Sequence, residues 1–300
     1  MADAVFDEIR QHVQDRTGLY FTGHKRGLLK SKLQQRADVL ALPDMAAYRD
    51  YLLNSRSEEI ALLDLITTNE TCFFRNPRQF DYLRDHILPS LEEERGNVSF
   101  RRLAMGEHPG RLNDMRLRIL SAGCSTGEEP YTIAMMVLEG LRYPRAWNIE
   151  IVAGDLSESC LEVARRGFYD TARLMGIPKA LQKKYMDGTD EGATFREDVR
   201  RLVRFTRLNL NDVMQGGEGS DISPLGGFDI VLCRNVMIYF SSASQQLLVD
   251  ALYRITAPGG YLFTGDAEPL HLFSHDFAPV REAGCLIYRK TGSDTNGQVV

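Results

Sequence analysis

The chain has 300 residues, 43% of them apolar and 26% charged, a balance that fits about two folded domains and excludes a disordered chain. A net charge of −5 argues against attraction of the whole protein to nucleic acid or anionic lipid. No run approaches the roughly 18 apolar residues of a membrane span, and the acidic start MADAVFDEIRQHV lacks a signal-peptide core. A cytoplasmic protein, not inserted in a membrane, is therefore expected. The five cysteines, Cys72, Cys124, Cys160, Cys233 and Cys285, include no C-x-x-C pair and suit neither a disulfide framework nor a thiolate zinc site.

Residues 1–68 read as helices and little else. Val5, Phe6, Ile9 and Val13 recur at helical spacing, as do Leu28, Leu29, Leu33 and Leu40 after a break at Thr22-Gly23, and then Ile60, Leu63, Leu65 and Ile66. Pro43-Asp44 starts a helix that puts Tyr48, Tyr51 and Leu52 on one face. The second helix gathers Lys25, Arg26, Lys30, Lys32 and Arg36 in an otherwise acidic chain. Such a run is either a solvated face or a docking surface for an acidic partner. Residues 67–76, TTNETCFFRN, form a polar-then-aromatic connector, followed by a long helix carrying Phe80, Leu83, Ile87, Leu88 and Leu91. Residues 95–114, basic and without a period, read as loop.

From Leu117 the pattern changes. The strands RLRILSAG, NIEIVAGD, GFDIVLCRN and PGGYLFTGD are separated by the helices EEPYTIAMMVLEGL, SESCLEVARRGF and SASQQLLVDALYRI. That alternation predicts an α/β fold, a doubly wound and mostly parallel sheet that binds ligands at the carboxyl ends of its strands. Residues 171–208 break the alternation and read as an inserted antiparallel β-subdomain. The glycine-rich stretch 216–227 reads as a connector with no G-x-x-x-x-G-K phosphate cradle. The expected organisation is thus a helical domain over 1–68, a sheet domain over 69–290 and a tail over 291–300.

The chemistry sits at the strand ends. In SAGCSTGEEPYTIA, Gly123 and Gly127 let the backbone approach a ligand, but the G-x-G-x-x-G spacing of a dinucleotide site is absent. Glu128 and Glu129 occupy the helix start where a pyrophosphate would otherwise lie. They either complement the helix dipole or repel a polyphosphate and welcome a cationic ligand such as S-adenosylmethionine. Asp155 ends the second strand, placed for ribose hydroxyls or for capping the next helix. Arg234 and Asn235 leave the third strand, and Asn235-Val236-Met237-Ile238-Tyr239 lacks the prolines of an amine-gripping loop. His271 and His275 have metal-compatible spacing but no third ligand, and no hydrolase motif is present.

Taken together, TTNETCFFRNPRQF, SAGCSTGEEPYTIAM and FDIVLCRNVMIYF resemble the chemotaxis-receptor glutamate O-methyltransferases, the CheR family, over about residues 5–289. The resemblance implies a small N-terminal helical bundle plus a Rossmann-like methyltransferase domain with a small antiparallel insert. It also implies transfer of methyl from S-adenosylmethionine, with S-adenosylhomocysteine as product, to glutamates on the cytoplasmic part of methyl-accepting chemoreceptors. Asn69, Thr71 and Arg75 would contact the cofactor or reacting centre, with Gly123 beside it. Glu129 would hold the methionine amino end, Asp155 the ribose, and Asn209 and Leu210 the adenine; Arg234 and Asn235 would close the site. Arg75 and Tyr239 are the expected catalytic residues, and Lys30, Lys32 and Arg36 the expected receptor-docking cations. Neither a metal nor a nucleic acid is expected, and nothing demands a dimer.

Three departures qualify the resemblance, one of them a loop over 96–114 that is longer than the family leads one to expect and has no assigned role. Family members commonly have Gly-His-Ser-Glu where this chain has Gly265-Asp266-Ala267-Glu268, so no role is assigned to that loop. The turn in MDGTDEGATF looks about three residues shorter than in members that grip a receptor's C-terminal pentapeptide, which implies a tether-independent enzyme. The alternatives are another acceptor on the same fold, or a non-catalytic cofactor-binding adaptor of a signalling array.

Overall fold

A computed structural model describes residues 2–67, 69–105, 115–216, 227–282 and 284–291. The chain opens with four helices, α1 (Ala2–Thr17), α2 (His24–Val39), α3 (Met45–Asn54) and α4 (Arg56–Ile66). Asp44 Oδ1 accepts the Ala47 amide at 2.8 Å and Ser55 Oγ accepts the Glu58 amide, so each of the last two helices starts at a capping side chain. Phe6, Ile9, Val13, Leu29, Leu33, Tyr48, Leu52 and Leu62 close one core between them. The buried stripe is narrower than the sequence pattern suggests. Tyr51 is 42% exposed and Leu28 54% exposed, because Tyr48/Leu52 and Leu29/Leu33 already fill the inward positions one turn apart.

Helix α5 (Pro77–Tyr82) runs through a π turn at Leu83–Ile87 into α6 (Leu88–Ala104). Residues 95–104, expected as loop, are helical. Arg95 pairs with Asp229 and its guanidinium lies 5.6 Å from the Trp147 ring centre, which anchors the helix past Gly96. Residues 106–114 of that expected loop, most of the connector 216–227 and nearly all of the tail lie outside the described residues.

The rest follows as β1 (Arg116–Ala122), α7 (Glu128–Gly140), β2 (Asn148–Asp155), α8 (Glu158–Arg166), β3 (Phe168–Asp170), α9 (Lys179–Tyr185), β4 (Met186–Gly188), β5 (Gly192–Phe195), α10 (Glu197–Arg200), β6 (Val203–Arg207), α11 (Leu210–Met214), β7 (Phe228–Cys233), α12 (Ser242–Ile255), β8 (Thr256–Thr264), β9 (Phe277–Glu282) and β10 (Cys285–Lys290). The large sheet has the order β6-β2-β1-β7-β8-β10-β9, parallel from β6 to β8 and antiparallel at β10 and β9. β7 is buried along its whole length and β1 almost so, as strands covered on both faces must be. A second, antiparallel sheet, β3-β5-β4, is the insert.

The insert is displaced from its expected bounds of 171–208. It begins at β3, and Val203–Arg207 pairs in parallel with Ile151–Asp155 as the edge of the large sheet. A five-residue strand with three polar members, of which Arg204 and Arg207 are exposed and Thr206 is buried, carries too little pattern to be separated from the insert by sequence. Strand order reverses between β1 and β7, and the crevice beyond their carboxyl ends is where such a sheet binds ligands.

Candidate active site

Among the described residues, five non-glycine residues have left-handed backbones, and four of them surround this crevice: Phe74 (φ 56°), Asn76 (φ 61°), Ser125 (φ 47°) and Asn235 (φ 60°). For a bulky residue such as Phe74 this conformation is strained, and it persists only where surrounding contacts impose it. The Phe74 amide donates to Thr132 Oγ1 of α7, and the Asn76 side chain bridges Arg234 and Asp266. At the turn after β1, a Cβ on Gly123 would fall 2.4 Å from Val236, so glycine lets the loop after β7 close onto the turn.

Asp155, 8% exposed at the end of β2, accepts the Ser125 amide at 2.7 Å and the Ser157 amide at 2.9 Å. Burial pushes its carboxyl up, and these backbone donors pull against that shift. Its position serves both expected purposes, since the carboxylate supports the turn and also lines the cavity. The two glutamates at the start of α7 are separated by the fold. Glu129 faces the cavity, accepting from Ser121 Oγ at 2.7 Å and from Arg234 Nη1 at 3.0 Å. Glu128 is 1% exposed and points to the insert, where Arg173 pairs with it. The expected double carboxylate facing a cationic ligand is thus a single one, because Arg173 draws the other away.

These elements enclose a cavity of about 430 Å³. Asn69, Thr71, Arg75, Gly123, Glu129, Asp155, Asn209, Leu210, Arg234, Asn235 and Tyr239 all line it. The helical domain supplies the opposite wall with Leu19, Tyr20, His24, Lys25, Leu28 and Lys32. A seam joins the two units. The Tyr20 amide donates to the Tyr239 carbonyl at 2.8 Å, Leu19 bridges to Phe240, and Lys25 Nζ reaches the Ile238 carbonyl at 3.1 Å.

Lining the cavity does not give every residue the same freedom. The Arg234 guanidinium ties Glu129 to the Arg75 carbonyl and to Asn76 Oδ1, and it lies over the Phe80 ring. It therefore holds the connector rather than presenting its fork to a ligand. Asn209 Oδ1 caps α11 and its Nδ2 donates to the Arg16 carbonyl at 2.7 Å, so its side chain is engaged in the seam. Among the described residues, the Arg75 guanidinium is held only through Nη1 to the Glu70 carbonyl at 3.2 Å. Asn235 Oδ1 is buried without a partner among the described residues.

The three expected docking cations part company. Lys30 stands in solvent near Asp3, with its side chain 62% exposed. Lys32 turns into the cavity wall, donates to the Leu65 carbonyl at 2.5 Å, and has its ammonium pKa lowered by burial. Arg36 grips the nearly buried Glu58 through two nitrogens, and Tyr48 donates to the same carboxylate at 2.9 Å. Arg36 is a structural cation and not a free docking one, because Glu58 would otherwise be buried unpaired.

Sequence reasoning missed Glu268. It is 4% exposed and accepts the amides of Asn235 at 2.6 Å, Gly265 at 2.9 Å and Ile238 at 3.2 Å, fixing the loop that carries Tyr239. The loop Gly265–Glu268, to which the sequence pattern assigns no role, thus holds the backbone beside Tyr239. The signal was available: the first and last residues of Gly-His-Ser-Glu are retained, and these are the two that make the contact.

The donor set suits S-adenosylmethionine. Carboxylates at Glu129 and Asp155 can take its ammonium and ribose hydroxyls, the orphaned Asn235 Oδ1 requires a hydrogen-bond donor, and Leu156, Leu208, Leu210 and Val236 give an apolar wall for a base. The family model for the CheR methyltransferase S-adenosylmethionine-binding domain matches residues 69–283, and that for the CheR all-alpha domain matches residues 4–67. The chain is 34% identical over 262 residues to a chemotaxis protein methyltransferase of Borreliella burgdorferi, covering 86% of this chain and 85% of that one. It is 33% identical over 282 residues to the Escherichia coli chemotaxis protein methyltransferase (92% and 86%), and 31% identical over 280 residues to chemotaxis protein methyltransferase 2 of Vibrio cholerae (92% and 89%). With both parts of the chain matched and the cavity built from both, this protein belongs to the CheR family of S-adenosylmethionine-dependent methyltransferases.

Proposed function

We propose that the protein methylates glutamate side chains on the cytoplasmic part of methyl-accepting chemoreceptors, forming methyl esters during adaptation. The observation that carries this reading is a cavity in which Arg75 and Tyr239 share walls with Glu129 and Asp155. When bound there, S-adenosylmethionine supplies an electrophilic methyl group on a sulfonium. Asn69, Thr71, Glu129, Asp155 and Asn235 hold it; Leu210 faces its base; Arg234 holds the connector against Glu129. A glutamate with a pKa of about 4.3 is already an anionic nucleophile near neutrality, so the site needs no general base. What it must provide is alignment, an effect that can be worth about 7–11 kcal/mol of barrier. Arg75, loosely held, orients the acceptor carboxylate through its planar fork, and Tyr239 offers a phenolic donor beside it.

The acidic acceptor docks on the cationic rim formed by Lys25 and Lys30, with Arg36 acting from behind through Glu58. The protein acts as a monomer at receptor arrays in the cytoplasm; the absence, among the described residues, of a helix long and apolar enough to cross a membrane is consistent with recruitment by docking. The insert's β4–β5 hairpin closes over only Thr189, Asp190 and Glu191, which supports methylation without a receptor C-terminal pentapeptide tether.

The test uses methyl-labelled S-adenosylmethionine and membranes of the protein's own host. Label on a receptor-sized band that mild alkali releases as methanol is the expected result, with Arg75→Ala losing at least about tenfold in turnover. Alkali-stable label would exclude a carboxyl ester, and equal labelling of Arg75→Ala would remove that residue from the mechanism.

A further inference from the structure

Among the described residues, Tyr169 and Arg173 bond the insert to the turn after β1, and neither lines the cavity. On β3, the Tyr169 hydroxyl donates to the Thr126 carbonyl at 2.8 Å. Burial pushes that phenol well above its ordinary range, so it stays a donor. Just beyond β3, Arg173 donates to Thr126 Oγ1 and to Glu128, and its guanidinium lies 5.0 Å from the Tyr169 ring centre. Thr126 Oγ1 itself donates to Glu128 at 2.8 Å. The turn is pressed against this pair, since a Cβ on Gly127 (φ 96°) would fall 2.7 Å from the Tyr169 hydroxyl.

One residue earlier in the turn, the Ser125 amide holds Asp155 and Ser125 Oγ reaches the Asn69 carbonyl at 3.1 Å. A shift of Thr126 must therefore move groups that do line the cavity. The same anchor extends to the connector. Tyr169 meets the Phe73 ring edge-on at 4.9 Å, and Phe195 of β5 stacks on Tyr131 of α7 at 4.4 Å. The insert thus clamps the turn with polar contacts and the connector with aromatic ones.

We propose that Tyr169 and Arg173 are positioning residues of the cofactor turn. The insert sets the conformation in which Ser125 and Asp155 meet the adenosyl ligand, and it turns Glu128 away so that Glu129 alone faces the ligand's cationic end. The inference rests on reading the cavity as the S-adenosylmethionine site. It gives the insert a task inside the catalytic domain, separate from anything that docks on its outer edge.

Full-length variants are titrated with S-adenosylhomocysteine by calorimetry, with melting temperature measured in parallel. Tyr169→Phe, which removes one hydrogen bond and no charge, weakens binding about three- to tenfold; Arg173→Met weakens it more than about tenfold, and Arg173→Lys falls between. KM for the acceptor stays unchanged in all three. The double variant Glu128→Gln/Arg173→Met does not regain affinity. Wild-type affinity in folded Tyr169→Phe, or recovery in the double variant, would overturn the proposal; recovery would reduce Arg173 to a partner for a buried charge. If wild-type protein itself binds no S-adenosylhomocysteine, the cofactor reading of the cavity fails first, and the wild-type titration shows this separately.

Discussion

The Tyr20 amide and the Tyr239 carbonyl are hydrogen-bonded at 2.8 Å, which joins the loop between α1 and α2 to the loop that carries an expected catalytic phenol. Lys25 strengthens this join from the next turn, with its ammonium on the Ile238 carbonyl and 5.2 Å from the Tyr239 ring centre. A surface cation–π contact contributes about 0.5–1 kcal/mol. Lys25→Met should therefore leave melting within about 2–3 °C of wild type while raising acceptor KM several-fold. Steady-state kinetics with receptor fragments check this, and an unchanged KM would mean that Lys25 neither orients the loop nor docks the acceptor.

Glu268 gathers three backbone amides on one carboxylate. Glu268→Gln keeps the shape but replaces one acceptor oxygen by a donor facing an N–H. Hydrogen bonds to a charged group contribute about 1.5–3 kcal/mol, so melting should fall by roughly 5–10 °C. Turnover should fall further than cofactor affinity, because the disturbed loop carries Tyr239. Calorimetry and kinetics on the same preparation separate the two effects.

Arg36 and Lys30 lie on one helix and should respond in opposite ways. Arg36→Ala leaves Glu58 buried with, among the described residues, only the Tyr48 hydroxyl and should cost about 3–5 kcal/mol in denaturant unfolding. Lys30→Glu should be neutral in stability and should raise acceptor KM, most clearly at low salt. A large stability loss in Lys30→Glu, or none in Arg36→Ala, would reverse the assignment.

Acid stability has a definite sign at Glu59. The hydrogen bond from Arg16 and its charge hold the Glu59 carboxyl below its ordinary 4.5 despite partial burial. The unfolded chain therefore takes up this proton first as pH falls. The associated stability is complete above about pH 4.5 and is lost as pH drops through the lower folded value. Glu59→Gln should flatten the stability profile below pH 4.5 and leave its slope unchanged near neutrality, as read by urea titrations across that range.

The sheet domain was legible because its strands are continuous apolar runs that end in small or polar residues: β2 ends at the expected Asp155, β1 at Ala122, one residue before the expected Gly123, and β7 at Cys233, two before the expected Asn235. Site residues were legible for the same reason, since a parallel sheet aligns those ends. What stayed hidden were partners distant in sequence. Nothing in KSKLQQR says that Arg36 will meet Glu58, and nothing in EEPY says that Glu128 and Glu129 will face opposite sides. β6 was absorbed into the insert because its pairing with β2, rather than its own pattern, makes it a strand. Asn209, expected beside a base, spends its amide on the seam for a reason only the Arg16 carbonyl could reveal.

The cavity has one wall from each half of the chain, so any molecule that fills it acts as an adhesive between them. The residues expected to hold the cofactor all belong to the sheet domain, so such a ligand favours the joined chain only through its contacts with Leu19, Tyr20, His24, Lys25, Leu28 and Lys32; a tenfold better affinity for the joined chain would add about 1.4 kcal/mol to the seam. Filling the cavity would then stiffen the mounting of the helical domain on the catalytic sheet.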